Sequence, residues 1–579
     1  MASSGSPSPD NPERATVTRL RTLQHTSVIV IGGGINGIAT FRDLAMQGVD
    51  VVLVERGDFG SGATAASSHM IHGGLRYLEN GEMRLVRESV HERNGLLHTA
   101  PHFVKPLRTT IPIYSTLSSM IASPMKILRH RSGERHVERG AVMIKVGLSL
   151  YDTFSRANGT VPRHRFMGRK ESLAALPALD PNIKYTATYY DASVHSPERL
   201  ALDVLMDGVR EHSGAIAVNY VEAVGLDESS VRLRDVETGQ EFSIGAEVIV
   251  NASGPWTDLT NEALGTHTSF MGGTKGSHIV LDHPELLEAT GGREIFFEHS
   301  DGRIVLIYPL HGRVLVGTTD VRADPREPAV CTDEEVDYFF DLIRHVFPTI
   351  ELDRSDIVFT YSGIRPLPRH DDIKPGLVSR DYRIEVDQDR AGSPVLSLVG
   401  GKWTTFRALG ETLADRVLEL LDRPRMWSTD GVVIGGGRGY PKRASRRAAW
   451  VASNLPGVDP DRGATLLERY GTRATEVAAF LAEGPDSPLV DGALSTREVA
   501  RMARWESVVH VTDVVLRRTN LAFVGGLRPE HFTEIAAALG QELGWGEDRV
   551  RAEAQACADT LHEFHSIAAT GAVRGYGTA

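Results

Sequence analysis

Residues 28–40 read VIVIGGGINGIAT. The run SVIVI (27–31) is the short β-branched pattern of a buried parallel strand, and it opens directly into glycines. A helical stretch follows to Met46, and DVVLVE (50–55) reads as a second strand, completing a β-α-β unit. Gly32, Gly34 and Gly37 give G-x-G-x-x-G, a weak pattern alone but a specific one between a strand and a helix. Gly32 permits the tight turn, Gly34 lets backbone approach a pyrophosphate, and Gly37 lets helix pack on strand. The helix N-terminus around Asn36 turns N–H groups and a positive dipole end toward phosphate. Glu55 ends the second strand about 20 residues on, where it can accept bonds from both ribose hydroxyls and repel a 2′-phosphate. The expectation is a dinucleotide site that disfavours NADP.

The rest of the chain bounds what this unit belongs to. With 579 residues, 41% of them hydrophobic, two or three domains are expected. Strand and helix patterns alternate through the first two-thirds, predicting an α/β fold. A formal net charge of −12 gives no footprint for nucleic acid. Cys331 and Cys557 are the two cysteines; they lie far apart without metal-type spacing, which fits a reduced compartment and no disulfide framework. No apolar run reaches the roughly 18 residues of a spanning helix. Residues 1–24 open as MASSGSPSPDNPERA, without a signal-peptide core, and read as a disordered tail. The expected location is the cytoplasm, at most attached to the inner face of the cell membrane.

Further strand-like runs fall at 247–254, 303–310, 313–320 and 395–401, and the pattern turns mostly helical after DRPRM (422–426). The expected organisation is nucleotide-binding elements at about 25–100, 190–265 and 355–425, interrupted by segments at about 101–190 and 265–355 that build a second, substrate-covering domain. Residues 426–579 form a helical C-terminal domain. GVVIGGGRGYP (431–441) mimics the first motif, but Tyr440 stands where the third glycine belongs, so it reads as a loop.

Three features favour FAD over NAD. GATAASSHM (62–70), with Ser67 and Ser68, suits a loop lying along a bulky cofactor. VIVNASGPW (248–256) ends a strand in small residues, Ala252 and Gly254 among them. LVGGKWTTFR (398–407) places Gly401 and Thr405 at the opening of a helix. An NAD enzyme usually keeps its nucleotide domain contiguous, and these elements are scattered.

GGGINGI, SSHMIHGGLRYLE (67–79), NASGPW, KGSHIV (275–280), GTTD (317–320), YSGIRPL (361–367) and GGKWTTFR resemble FAD-dependent glycerol-3-phosphate dehydrogenases in order and separation, from about residue 25 to 410. DVVLRRTNLAF (513–523) resembles a motif of that family's helical cap. Trp403 and Phe406 stand where bacterial relatives commonly have Leu and Tyr, which keeps a large apolar side chain at each. The resemblance implies a Rossmann-type FAD-binding domain with an inserted α+β substrate domain of the amine/D-amino-acid oxidase kind. It implies oxidation of sn-glycerol 3-phosphate to dihydroxyacetone phosphate, hydride passing from C2 to flavin N5 and electrons on to a membrane quinone, ubiquinone or menaquinone. Relatives are peripheral membrane proteins and often homodimers. Gly363, in YSGIRPL, joins the cofactor contacts.

A phosphate dianion beside a secondary alcohol needs cationic forks and a proton acceptor. Arg76 and Tyr77, with Lys402 and Thr404, are the expected phosphate and substrate contacts. His278 or His72 takes the base role, with Arg365 stabilising the developing alkoxide; His72 beside Gly73 and Gly74 can instead pack against the isoalloxazine. Outside these motifs a lone histidine is usually a hydrogen-bonded structural residue and a lone arginine a solvated charge; the functional reading rests on the resemblance. No Cys or carboxylate cluster pairs with the other histidines at ligand spacing, so no metal site is expected, and no G-x-S-x-G elbow occurs. Segment 123–147 carries Lys126, Arg129, Arg131, Arg135, Arg139 and Lys145 beside Met125, Ile127 and Leu128, and reads equally as a lipid-facing or a solvated basic face. Competing readings are a glycerophosphate oxidase that reduces oxygen to peroxide, a flavin amine oxidase, and a flavin-binding scaffold without turnover.

Overall fold

The structure, a computed structural model, describes residues 14–74, 83–115, 144–145, 147–149, 151–152, 162–227, 230–298, 303–369, 381–389 and 392–567. Arg76, Tyr77 and most of the basic segment 123–147 therefore lie outside the described residues.

Among these residues, two large sheets carry the fold. The first runs in the order Arg383–Gln388, Pro394–Val399, Glu241–Asn251, His25–Ile31, Val51–Glu55, Ala215–Asn219. All neighbouring pairs are parallel except the edge strand Arg383–Gln388. His25–Ile31 and Val51–Glu55 are apolar on both faces because both faces are covered. On one side, helices Ile35–Met46, Pro197–Glu211 and Phe406–Leu420 bury Ile38, Phe41, Leu44, Leu205, Leu409 and Leu413 against Val28, Val30 and Leu53. On the other side, the antiparallel strands Val221–Asp227 and Ser230–Asp235 cover Ile29, Val52 and Val54.

Residues 15–22, expected within a disordered tail, form a helix instead. Val17 and Leu20, one turn apart, are fully buried on the same second face. Arg14 anchors the start of this helix on the Asn219 carbonyl at 2.6 Å and on Asp235 at 3.1 Å.

The second sheet holds Met70–Ile71, Val104–Ile113, Tyr185–Val194, Glu294–Glu298, Ile304–Leu310, Arg313–Gly317, Met271–Leu281 and Ile357–Pro368. Ile357–Pro368 was expected with the nucleotide-binding elements, yet it pairs antiparallel with Met271–Leu281 along nearly its whole length. Its alternating apolar residues complete the face that Val280, Leu306 and Leu315 present. Met70–Ile71 likewise crosses into this sheet by pairing with Tyr185–Val194.

Past residue 426 the chain is mostly helical, as expected, and its longer helical stretches are broken into shorter helices. The 464–482 stretch divides at Gly471, whose φ is +59°, and 497–518 divides around Glu506–His510. In 529–566 the break is Gly544, at φ +71°. The core of these helices continues without interruption into the second sheet through Val280, Leu306, Tyr308, Phe359 and Tyr361. At 435–437 the chain makes a single tight turn, with Gly436 against Gly471; no strand precedes it.

Candidate functional site

The glycine turn is closed by sterics that only glycine satisfies. Gly32 has φ +112°, and a Cβ there would stand 2.6 Å from the Ala252 carbonyl oxygen. A Cβ on Gly37 would stand 2.1 Å from the carbonyl oxygen of Gly32. Helix Ile35–Met46 therefore starts against the end of the Glu241–Asn251 strand, with Gly34 as its N-cap. The Thr64 hydroxyl accepts from the Ile35 amide at 2.9 Å, and the Thr64 carbonyl accepts from Trp403 Nε1 at 3.1 Å. One residue thus ties the 62–70 loop both to the helix and to the segment carrying Lys402 and Thr404.

Glu55 accepts from the amides of Gly33 at 2.7 Å and Gly57 at 2.9 Å. Burial raises its pKa against the pull of those two bonds. Each carboxylate oxygen keeps a lone pair for a ribose hydroxyl. Asn36 Oδ1 and Thr405 Oγ1 are buried without hydrogen-bond partners. They lie on the two elements that meet at Gly401, whose φ is +114° and whose Cβ would stand 2.7 Å from Asn36 Nδ2. Orphaned buried polar atoms are costly unless a ligand satisfies them. A polar dinucleotide at this junction fits the donor and acceptor set.

The residues expected at the reacting carbon come from strand pairing. His278 lies opposite Tyr361, Gly276 opposite Gly363, and Thr274 opposite Arg365. Alternation puts these residues on one face, while Lys275 and Ser277 point to the other. There Lys275 Nζ donates to Glu335 Oε2 at 2.8 Å, and Ser277 and Thr319 hydroxyls donate to Glu335 Oε1 at 2.9 and 2.6 Å. Glu335 thereby fixes the strand from behind.

Glycines open the near face. A Cβ on Gly317 would stand 2.2 Å from the His278 ring, and one on Gly363 would stand 2.2 Å from the Ala66 Cβ. His278 can therefore lie flat, and the Ser67–Ser68 loop can press against the sheet. His278 Nε2 is 2.8 Å from Ser68 Oγ, and its Nδ1 is buried without a hydrogen-bond partner. Burial, helped by Arg365 and His69, holds its pKa well below the usual histidine value, so the ring is neutral. Tyr361 Oη donates to the Ser67 carbonyl at 2.9 Å and Tyr308 Oη to that of Ser68 at 3.0 Å.

Arg365 donates to Asp320 Oδ1 at 2.7 Å, to Thr318 Oγ1 at 2.9 Å and to the Thr319 carbonyl at 2.7 Å. It also lines a cleft of about 210 Å³ with Pro255, Asp258, Gly273 and Arg369. His72 is half-buried next to Gly73, whose amide donates to Asp191 at 2.9 Å. Thr404 is buried and Lys402 half-buried at the approach to helix Phe406–Leu420.

The structure brings His278, Ser67, Ser68, Gly363 and Arg365 together on one side, and Gly32, Gly34, Asn36, Gly37, Glu55, Ala252, Gly401 and Thr405 on the other. Thr64, Tyr361, Asp320 and Glu335 were not assigned roles from the sequence. Thr64, Asp320 and Tyr361 lie inside GATAASSHM, GTTD and YSGIRPL, which is the signal that could have found them; Glu335 lies outside every such motif. Among the described residues there is no cluster of three His, Cys, Asp or Glu suited to a metal ion, and no helix long and apolar enough to cross a membrane.

Residues 27–416 match the family described as FAD dependent oxidoreductase, and residues 427–550 match the C-terminal domain of alpha-glycerophosphate oxidase. A glycerol-3-phosphate dehydrogenase of Synechocystis is 32% identical over 94% of this chain and 96% of its own length. A D-erythritol 1-phosphate dehydrogenase of Brucella abortus is 33% identical over 85% and 93%. Among solved structures, the glycerol-3-phosphate dehydrogenase of Bacillus halodurans complexed with FAD superposes with a TM-score of 0.70, covering 96% of this chain and 98% of its own at 22% identity. The chain belongs to the FAD dependent oxidoreductase family, uses FAD, and carries the helical C-terminal domain of the glycerophosphate oxidases.

Proposed function

We propose that this enzyme oxidises sn-glycerol 3-phosphate to dihydroxyacetone phosphate and passes the electrons to a membrane quinone, as a peripheral homodimer on the inner face of the cell membrane. The observation that carries the reading is His278: neutral, buried, fixed by Ser68 and Tyr361, with Nδ1 open, on the face shared with Arg365. Bound FAD supplies the acceptor for the C2 hydride, at flavin N5. His278 takes the C2 hydroxyl proton, and Arg365, braced by Asp320, offers its guanidinium charge to the oxygen as the proton leaves. Lys402 and Thr404, with Arg76 and Tyr77, receive the phosphate. The glycerol-3-phosphate and D-erythritol 1-phosphate dehydrogenases among the relatives support a polyol phosphate as the substrate class.

Anaerobic spectra of the purified protein test this. The flavin bands should bleach on adding sn-glycerol 3-phosphate and stay unchanged with glycerol; bleaching only by erythritol 1-phosphate would move the assignment to the longer substrate. Reoxidation of the bleached enzyme separates the acceptors. Rapid turnover with a soluble quinone and slow oxygen uptake is expected; stoichiometric peroxide at a comparable rate would make it an oxidase.

A further inference from the structure

The DVVLRRTNLAF motif of the helical domain has no part in the site above, yet it reaches deep into the nucleotide-binding domain. Arg517 and Arg518 end a π-helical turn, Val514–Arg518. Arg518 donates to both oxygens of Asp58, at 2.6 and 2.8 Å, and Arg517 Nε donates to Asp58 Oδ2 at 2.5 Å. The Asp58 side chain is fully buried, and that of Arg518 is 1% exposed. Asn219 Nδ2 adds a fourth bond to Asp58 at 2.9 Å, and Arg518 is held in place by the Glu506 carbonyl at 3.0 and 2.7 Å. Burial opposes charge on Asp58, but the two guanidinium groups overcome it and keep the carboxylate ionised.

Asp58 belongs to the turn that leaves Glu55. Its neighbour Gly57 donates its amide to Glu55 Oε1 and accepts from the Tyr220 amide at 2.9 Å. Phe59 is buried beside Gly33, and the Gly60 amide donates to the Gly33 carbonyl at 2.9 Å. Asn219, the other partner of Asp58, pairs with Glu55 across neighbouring strands. The clamp therefore bears on the Glu55 carboxylate and the glycine turn from two sides.

We propose that the C-terminal helical domain is a positioning element for the adenosine half of FAD: Arg518 and Arg517 hold Asp58, and Asp58 sets the Glu55–Gly60 turn against Gly33. The buried ion cluster is a joint between two domains that must be rigid where the cofactor ribose sits. A buried carboxylate with two guanidinium partners tolerates little displacement, because breaking one pair leaves an uncompensated charge. The inference rests on FAD binding at the Gly32–Gly37 turn and is independent of the substrate.

The test compares the affinities of the apoprotein for FAD and for FMN, which lacks the adenosine, by flavin fluorescence. Arg518→Lys and Asp58→Asn should weaken FAD roughly tenfold, a typical coupling between sites, and leave FMN unchanged. Glu498→Gln is the control: it disturbs the buried cluster with Arg462 and Arg469 inside the same helical domain, and should lower Tm without altering the FAD-to-FMN ratio. Equal losses for FAD and FMN, or no loss for either, in a variant with native circular dichroism would overturn the proposal. Should Arg518→Lys not fold, Arg517→Lys, which keeps the charge at the more exposed partner, decides by the same ratio. Wild-type apoprotein that takes up no FAD would instead refute the cofactor site itself.

Discussion

His278 and Tyr361 stack ring on ring across paired strands, with centroids 4.7 Å apart and planes 10° apart. The tyrosine is itself pinned by its bond to the Ser67 carbonyl. Two contacts, the stack and the Ser68 hydroxyl, and the space that Gly317 leaves by lacking a Cβ hold the imidazole in one orientation. The proposed proton acceptor, held in this way, would lose little freedom when substrate arrives.

His278→Gln should bind FAD normally and slow flavin reduction by sn-glycerol 3-phosphate by about 10²–10⁴-fold, the usual contribution of a positioned base. Anaerobic stopped-flow absorbance reads this directly. Loss of less than about tenfold would take the base role from His278 and return it to His72.

Arg365 is aimed by Asp320, Thr318 and Thr319, so its guanidinium geometry matters as well as its charge. Arg365→Lys keeps the charge and loses the fork. Flavin reduction should fall by about 10²-fold, with Asp320→Asn giving a smaller loss in kcat/KM. Equal kcat/KM in Arg365→Lys and wild type would exclude a role for the fork.

Acid should destabilise the fold through buried neutral histidines. His69 and His278 are 4% and 2% exposed, and burial, added to neighbouring histidine or arginine charge, depresses both; His69 is held at about 3. The unfolded chain takes up protons below pH 6.5 that the folded chain refuses. The contribution of His69 is therefore complete above 6.5 and falls toward pH 3, by about 1.4 kcal/mol per pH unit, and that of His278 is lost in the same direction. His69 has φ +55° and bonds the Val194 carbonyl, a conformation and contact that asparagine can keep. Urea unfolding at pH 6.5 and 5 should show a shallower acid loss in His69→Asn than in wild type, and an unchanged slope would remove His69 from this account.

Gly37→Ala should not retain FAD. The added methyl would stand 2.1 Å from the Gly32 carbonyl oxygen, so helix and turn must separate at the turn proposed to receive the pyrophosphate. Purified Gly37→Ala with a full complement of flavin would contradict the steric reading of this turn.

The nucleotide-binding unit was legible because its requirements are local. A β-branched strand, a turn that admits no Cβ, a helix and an acid at the end of the next strand all fall within about 30 residues, the length of a βαβ unit. Alternating strand patterns and the helical tail of the chain were legible for the same reason. The sequence also marked His278 and Arg365 by motif, without showing that they share a face.

What the sequence by itself determined is the list of elements and the chemistry available to them; the tertiary structure decided which elements meet. Ile357–Pro368 has the same period-two pattern whichever sheet it joins, and only the packed face of Val280, Leu306 and Tyr361 selects Met271–Leu281 as its partner. Helix Ala15–Thr22 is too short to hold alone, and the burial of Val17 and Leu20 together with Arg14's bonds to distant strands makes it form. Asp58 and Arg518 stand 460 residues apart, and no local pattern pairs them. Their partnership follows from charge that cannot stay buried alone, so it exists only once the two domains have closed around it.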